Sequence, residues 1–434
     1  MPVTASQART VDQEYEETYA FLCSLERFGI LLGLENITRL LDGLGNPQKR
    51  FASIHVAGTK GKGSTASFVY HILEDAGFTA ALYTSPHLND FRERIRVNGS
   101  LVSKEAIISA TQKVRQVCDP ELTTFFEFTT AVAFECIAQA APDIAVVEVG
   151  LGGRLDATNT VDPLVTVITD IAREHEDYLG QGIESVAREK AGIIKRGAPL
   201  VTGATRKGAR KVISEVAQEH GAPMRLFGRD FIGKRTGPSL FTYRSERRTL
   251  EDLRISMVGA HQIKNAALAC AVAEELQSLG YAISEAAIRS GLARTTFPGR
   301  FELLRRRPDV VIDGAHSPES MRLLKSTLRQ TYPGVRPLVV LGMLQEKNYR
   351  EMVRIIAPIA KEVVCVAPQG DRALDPEKLA ELVREMGVPV SVAQSIEEGF
   401  HKALGKAGRN DLVLATGSLY MIGPIRRACG WVDE

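Results

Sequence analysis

Short apolar, β-branched runs recur along the chain, each followed by a stretch with the three-to-four-residue spacing of a helix, which is the pattern of an α/β protein. The clearest unit runs from Phe51 to Ala76. Phe51–Val56 reads as a buried strand stopped by Gly58, and Ser64–Ala76 as a helix carrying Phe68, Ile72 and Leu73, closed by Gly77. Upstream, Tyr15–Phe28 reads as an amphipathic helix, Gly29–Gly33 as a loop, and Asn36–Leu44 as a second helix. Downstream, strands are expected at Ala80–Thr84, Ile144–Val149, Leu164–Thr169 and Leu200–Thr202, with helices from Thr123 and over Lys207–Glu219. Asn98-Gly99 reads as a hairpin turn, the segment holding Gly233, Gly237 and Pro238 as irregular, and Asn265–Leu279 as a helix.

At 434 residues the chain exceeds one ordinary core, and Arg294–Gly299 reads as a hinge. Beyond it the alternation starts afresh, with strands at Val310–Ile312, Leu338–Leu341, Glu362–Val366, Val388–Val392 and Leu412–Leu414 and helices from Pro318, Tyr349, Pro376 and Ile396. The expected architecture is a larger, mostly parallel-sheet domain of the P-loop ATPase kind, residues 1–296, and a smaller doubly wound, Rossmann-like domain, residues 297–434. No G-x-G-x-x-G follows the first strand of the smaller domain, so a dinucleotide site there is unsupported.

Composition narrows the classes. Hydrophobic residues at 44% and charged residues at 24% suit a soluble globular chain, and a net charge of +2 gives no electrostatic reason to propose nucleic acid. Six cysteines without C-x-x-C spacing suit free thiols in a reducing cytoplasm. Neither a leader-like apolar segment nor an uncharged apolar run long enough to span a bilayer is present, so secretion and membrane insertion are not expected.

The chemistry concentrates at strand ends. Between Phe51–Val56 and its helix lies a loop with Gly58, Gly61 and Gly63, Lys62 and Ser64, parts that suit a nucleotide triphosphate and its Mg²⁺. Its pattern departs from the general phosphate loop because Gly63 separates Lys62 from Ser64. Glu148 ends a buried strand beside the glycine-rich stretch Gly150–Asn159, where an unpaired charge is costly and a metal partner resolves the cost. Ser85-Pro86-His87 holds a hydroxyl and an imidazole at another strand end, although such a tripeptide is more often a turn. His175 could complete a metal shell or be a loop histidine, Lys190 reads alone as a snorkelling lysine, and Phe125 and Phe126 read as core before they read as a ligand wall.

Ten ordered motifs carry a resemblance. They include HVAGTKGKGS (His55–Ser64), SPHL (Ser85–Leu88), FRERIRVNG (Phe91–Gly99), TFFEFTT (Thr124–Thr130), EVGLGGRLDATN (Glu148–Asn159), REKAGIIK (Arg188–Lys195), FPGRFE (Phe297–Glu302) and DGAHSPES (Asp313–Ser320). Over nearly its whole length the chain resembles the folylpolyglutamate synthases of the ATP-dependent Mur ligases, of the bacterial kind that also carries dihydrofolate synthase activity. The resemblance implies L-glutamate ligation to dihydropteroate or reduced folates, with ATP as substrate, Mg²⁺ as cofactor and a glutamate-binding second domain; family members usually work as monomers. It implies ATP contacts by Thr59, Lys60, Gly61, Lys62, Gly63 and Ser64, with Asn265 at the adenine and Arg300 and Asp313 approaching from the second domain. Ser85, Glu148 and His175 would hold the metal; Lys62, Lys190 as a carbamate, and His316 would serve catalysis. The pterin-bearing substrate would meet Leu31, Leu32 and Gly33, then Thr124, Phe125, Phe126 and Glu127, then Leu155, Asp156 and Ala157. Lys60 and Ser317 stand where the family commonly has asparagine. The rival readings are a Mur-type ligase acting on a cell-wall nucleotide and a non-catalytic nucleotide-binding protein.

Overall fold

The computed structural model describes residues 10–25, 29 and 32–430. The first sheet holds β1 (Ala52–Ala57), β2 (Ala80–Tyr83), β3 (Ile95–Val97), β4 (Ser100–Leu101), β5 (Ile144–Glu148), β6 (Val165–Ile168), β7 (Leu200–Thr202) and β8 (Met224–Leu226), in the order β4-β3-β2-β5-β1-β6-β7-β8. All neighbours from β2 to β8 pair in parallel, and β3 and β4 add an antiparallel hairpin. Its turn is Asn98-Gly99, both with positive φ, the geometry that matches strand twist. The parallel strands are almost wholly buried because helices cover both faces. On one face Phe68, Tyr70 and Leu73 of helix Lys62–Asp75 pack with Leu268 and Val272 of helix Ala260–Ser278. The other face carries the helices Val11–Ser24, Glu35–Gly43, Lys104–Val117 and Phe125–Ala140. The first of these ends before the predicted Phe28, and residues 26–28 lie outside the described set.

The segment expected to be irregular is instead a three-stranded antiparallel sheet, β9 (Phe231–Arg235), β10 (Leu240–Ser245) and β11 (Thr249–Arg254). Its glycine misled the pattern. A Cβ on Gly233 would sit 3.0 Å from Ala267 Cβ, so the glycine marks where a strand crosses close over a helix, not a break. Phe241, Tyr243 and Leu253 bury against that helix, and Glu274 accepts from Arg225 Nη1 at 2.7 Å and from the Tyr243 hydroxyl at 2.9 Å.

The third sheet holds β12 (Glu302–Arg305), β13 (Asp309–Asp313), β14 (Leu338–Leu341), β15 (Glu362–Cys365), β16 (Val390–Val392) and β17 (Leu412–Thr416), ordered β12-β13-β17-β14-β15-β16. Five of these are the predicted strands and pair in parallel. The sixth, β12, is a half-buried antiparallel edge that the apolar pattern did not single out. The linker between the sheets is tied at both ends: Ser67 Oγ donates to Thr296 O at 3.0 Å on one side, and Gly314 N to Gly299 O at 2.9 Å on the other. Among the described residues no helix is long and apolar enough to cross a membrane.

Candidate active site

The carboxyl ends of β1, β5 and β6 face those of β13 and β17 across a cavity of about 430 Å³. Register makes this possible. Val56 pairs with Glu148 and Ala57 with Ile168, so the glycine loop, the strand-end carboxylate and the loop after β6 emerge side by side. Gly58 fits against Thr169 with no room for a Cβ, and Gly61, at φ +86°, is the N-cap of helix Lys62–Asp75. Thr59 fixes the loop through its N–H to Asp170 O at 2.7 Å and through its hydroxyl, which accepts from Ala172 N at 3.0 Å. Lys62 Nζ donates to Gly58 O at 3.1 Å, folding the ammonium over its own loop. Asn265, buried behind Gly61, donates to Gln262 Oε1 at 2.8 Å.

Glu148 is buried, and its Oε2 accepts from Ser85 N at 3.2 Å. Burial holds its carboxyl above the ordinary range, with the Lys62 ammonium opposing. Ser85 and His175 line the same cavity, His175 at its open rim. Among the described residues no three His, Cys, Asp or Glu groups are placed to hold a metal by themselves. The donors present, one carboxylate with a hydroxyl and an imidazole, fit a hard cation that takes its remaining ligands from phosphate and water, as Mg²⁺ does. Lys190, in the last turn of helix Ile183–Ala191, is buried without an acceptor among the described residues. Burial, reinforced by Lys62, lowers its pKa to about 7.

The sheet β12–β17 contributes from the opposite wall. Asp313 accepts from Phe301 N and Ala315 N, each at 2.9 Å, and desolvation pushes its carboxyl up to about 6 against the pull of Arg300. The Arg300 guanidinium lies 5.7 Å from the Phe297 ring centroid. His316 Nδ1 donates to Gly314 O at 2.8 Å, and desolvation, then Lys60, hold its pKa down to about 4. All of the residues matched to ATP and metal therefore share one cleft, and Lys190 is not among the residues that line it.

The residues matched to the pterin substrate lie beside that cleft. Phe125, Phe126 and Ala157 belong to one apolar cluster, and Phe126 packs on Gly150, which itself lines the cavity. Thr124 and Glu127 are engaged in a capping box, with Glu127 Oε2 accepting from Thr124 N at 2.8 Å. Asp156 accepts from Leu151 N at 2.8 Å and Thr158 N at 3.0 Å, which organises the glycine-rich loop. Leu155 is half-buried, Leu32 is exposed, Gly33 is half-buried, and Leu31 lies outside the described residues.

Several cleft residues went unread in the sequence. Glu174, His261, Gln262, Arg372 and Tyr420 line the cavity. Arg94, buried beneath Phe125, donates to His87 Nδ1 at 2.9 Å. The only signal for Glu174 was its place in the charged run Arg173–Asp177, which does not single it out.

Two family models match the chain: the Mur ligase middle domain over residues 56–273 and the Mur ligase glutamate ligase domain over residues 299–419. The dihydrofolate synthase/folylpolyglutamate synthase of Bacillus subtilis is 37% identical over 433 residues, covering 95% of this chain and 98% of the relative. That of Escherichia coli is 33% identical, covering 94% and 93%. Among solved structures, E. coli FolC in complex with DHPP and ADP superposes with a TM-score of 0.87 at 32% identity, covering 99% of both chains. Mycobacterium tuberculosis folylpolyglutamate synthase complexed with ADP gives 0.89 at 30% identity, covering 98% of this chain and all of the other. The glycine loop, the strand-end Glu148 and Arg300 ahead of β12 thus sit in a fold and a sequence shared from end to end with these enzymes, and the chain belongs to the dihydrofolate synthase/folylpolyglutamate synthase family of the Mur ligases.

Proposed function

We propose that this chain is an ATP-dependent ligase joining L-glutamate to dihydropteroate and to the γ-carboxylate of reduced folate glutamates, releasing ADP and phosphate. The observation that carries the reading is the convergence of Lys62, Glu148 and Arg300 on one cleft between two sheets. A carboxylate resists amine attack because its oxygen leaves poorly. Transfer of the γ-phosphoryl group to that oxygen makes an acyl phosphate; the glutamate amine then attacks the carbonyl carbon and phosphate leaves. No protein nucleophile is needed.

The chain's own groups orient and offset charge. Backbone N–H groups of Gly61–Ser64 and the helix N-terminus hold the phosphates, with Thr59 bracing the loop. Lys62 swings from Gly58 O to the transferring group, and Arg300 meets it from the other wall. Asn265 takes the adenine, and Asp313 the ribose. Ser85, Glu148 and His175 would hold Mg²⁺, which when bound supplies Lewis-acid neutralisation of the phosphoryl charge. The amine of Lys190, its pKa lowered by burial to about 7, is poised for carbamylation. The folate lies against Leu31–Gly33, Thr124–Glu127 and Leu155–Ala157, and L-glutamate near His316.

The same reading divides the chain into domains at 296/297, between the ties of Thr296 and Gly299. It makes the enzyme a cytoplasmic monomer, which light scattering during gel filtration checks. The decisive assay is ADP release with ATP, Mg²⁺ and L-glutamate, run separately with dihydropteroate and with tetrahydrofolate. Release with both supports the bifunctional assignment, release with tetrahydrofolate alone restricts the enzyme to tail extension, and release with neither refutes the substrate class.

A further inference from the structure

Lys60 occupies the tip of the glycine loop, yet its ammonium is not turned into the loop's phosphate cradle. It forms an ion pair with Glu174 Oε1 at 2.6 Å, both side chains half-buried. The same carboxylate oxygen lies 4.0 Å from His316 Nε2, which belongs to the other sheet. The tautomer of His316 follows from its other nitrogen. Gly314 O can only accept, so Nδ1 carries the proton and Nε2 of the neutral ring is a bare acceptor. Two acceptors 4.0 Å apart do not bond one another, so the imidazole and the carboxylate can be joined only through a shared donor. An ammonium has three N–H groups and Glu174 uses one, so Lys60, close enough for its charge to act on the His316 ring, keeps N–H groups for a second acceptor once that ring moves nearer.

We propose that Lys60, held by Glu174, is the post on which His316 docks when the second domain closes, so that this lysine fastens the domains together and is not a phosphate ligand. The arrangement links three pieces of chain: the loop after β1, the loop after β6 and the loop after β13. A nucleotide seated in the glycine loop stiffens the backbone that carries Lys60, which couples occupancy of the site to docking of residues 314–320. Glu174 is a positioning residue in this scheme, since it reaches the nucleotide only through Lys60. The inference rests on the cleft being a nucleotide site, and not on which acid the enzyme ligates.

The test uses AMP-PNP with Mg²⁺ on the full chain, so it needs no turnover. Affinity is measured by calorimetry, and closure by the nucleotide-dependent slowing of amide exchange in residues 314–320. In K60M and E174Q the nucleotide-dependent exchange protection of 314–320 is expected to fall about tenfold and AMP-PNP affinity by up to the same factor, because docking coupled to binding must show in both; E174D, which keeps the carboxylate, restores them. A merely structural role for Glu174 would not make the protection depend on nucleotide. Loss of affinity in K60M well beyond its loss of protection, and not shared by E174Q, would make Lys60 a phosphate ligand and overturn the proposal. So would protection in either variant equal to wild type. A wild-type chain that failed to bind AMP-PNP would instead remove the nucleotide reading itself, and this inference with it.

Discussion

Replacing Lys190 by methionine tests whether burial, and not a counter-ion, sets the state of this amine. Its ordinary pKa of 10.5 falls to about 7 in the folded chain, with burial the largest cause and Lys62 the next. At about 1.4 kcal/mol per pH unit, keeping the charged amine costs the fold about 5 kcal/mol below pH 7. Between about pH 7 and 10.5 the unfolded chain binds a proton that the folded chain does not, so wild-type stability climbs as pH rises through that window. K190M lacks the titration. Urea unfolding of both chains at pH 7, 8 and 9, in buffer freed of carbon dioxide, should show the variant more stable at pH 7 and its advantage shrinking by about 1.4 kcal/mol per pH unit. An advantage that stays constant from pH 7 to 9 would refute the reasoning. The same pKa leaves about half of the amines neutral at pH 7, against about one in 3,000 for an ordinary lysine, and only a neutral amine adds CO₂. Bicarbonate should therefore raise wild-type ADP release near neutral pH and leave K190M inactive.

Three further outcomes are expected. E148Q should lower kcat/KM for ADP release at least about a hundredfold by removing a metal-binding carboxylate, without lowering the unfolding midpoint, because burial already disfavours the Glu148 charge. G61V should abolish nucleotide binding by calorimetry, since φ is +86° there and a Cβ would meet Asn265 Oδ1 at 2.5 Å; a folded G61V chain that binds ATP normally would contradict the loop's role. G291A should cost about 1–3 kcal/mol in urea unfolding, because its Cβ would sit 2.6 Å from Ile72 Cα where two helices cross, and should leave turnover per folded molecule unchanged.

Much of the site was legible because strand ends, glycines and charges lie close together in sequence. Gly58–Ser64 announces its own geometry, and Glu148 stands out as a carboxylate ending an apolar run. The parallel strands were legible for the same reason, being short continuous apolar runs. Sheet β9–β11 was not, because Gly233 reads as a breaker until the helix it lies against is known. Glu174 was not, because its significance comes from Lys60, 114 residues away, and from a histidine on another sheet. The buried network of Arg225, Tyr243 and Glu274 escaped likewise, since each residue alone looks like surface or core. Local chemistry is written locally, and juxtaposition is not.

Arg300 stands almost at the pivot. Thr296 is fastened to one body through Ser67 and Gly299 to the other through Gly314, which leaves Phe297 and Pro298 to absorb a rotation, two residues from the guanidinium's own backbone. Points near a hinge sweep short arcs and points far from it sweep long ones. A rotation absorbed there would open the distant lip widely and move the arginine little from the phosphate end of the cleft. Nucleotide is therefore expected to bind without the acid or the amine present, and initial-rate kinetics that placed it last would contradict this geometry.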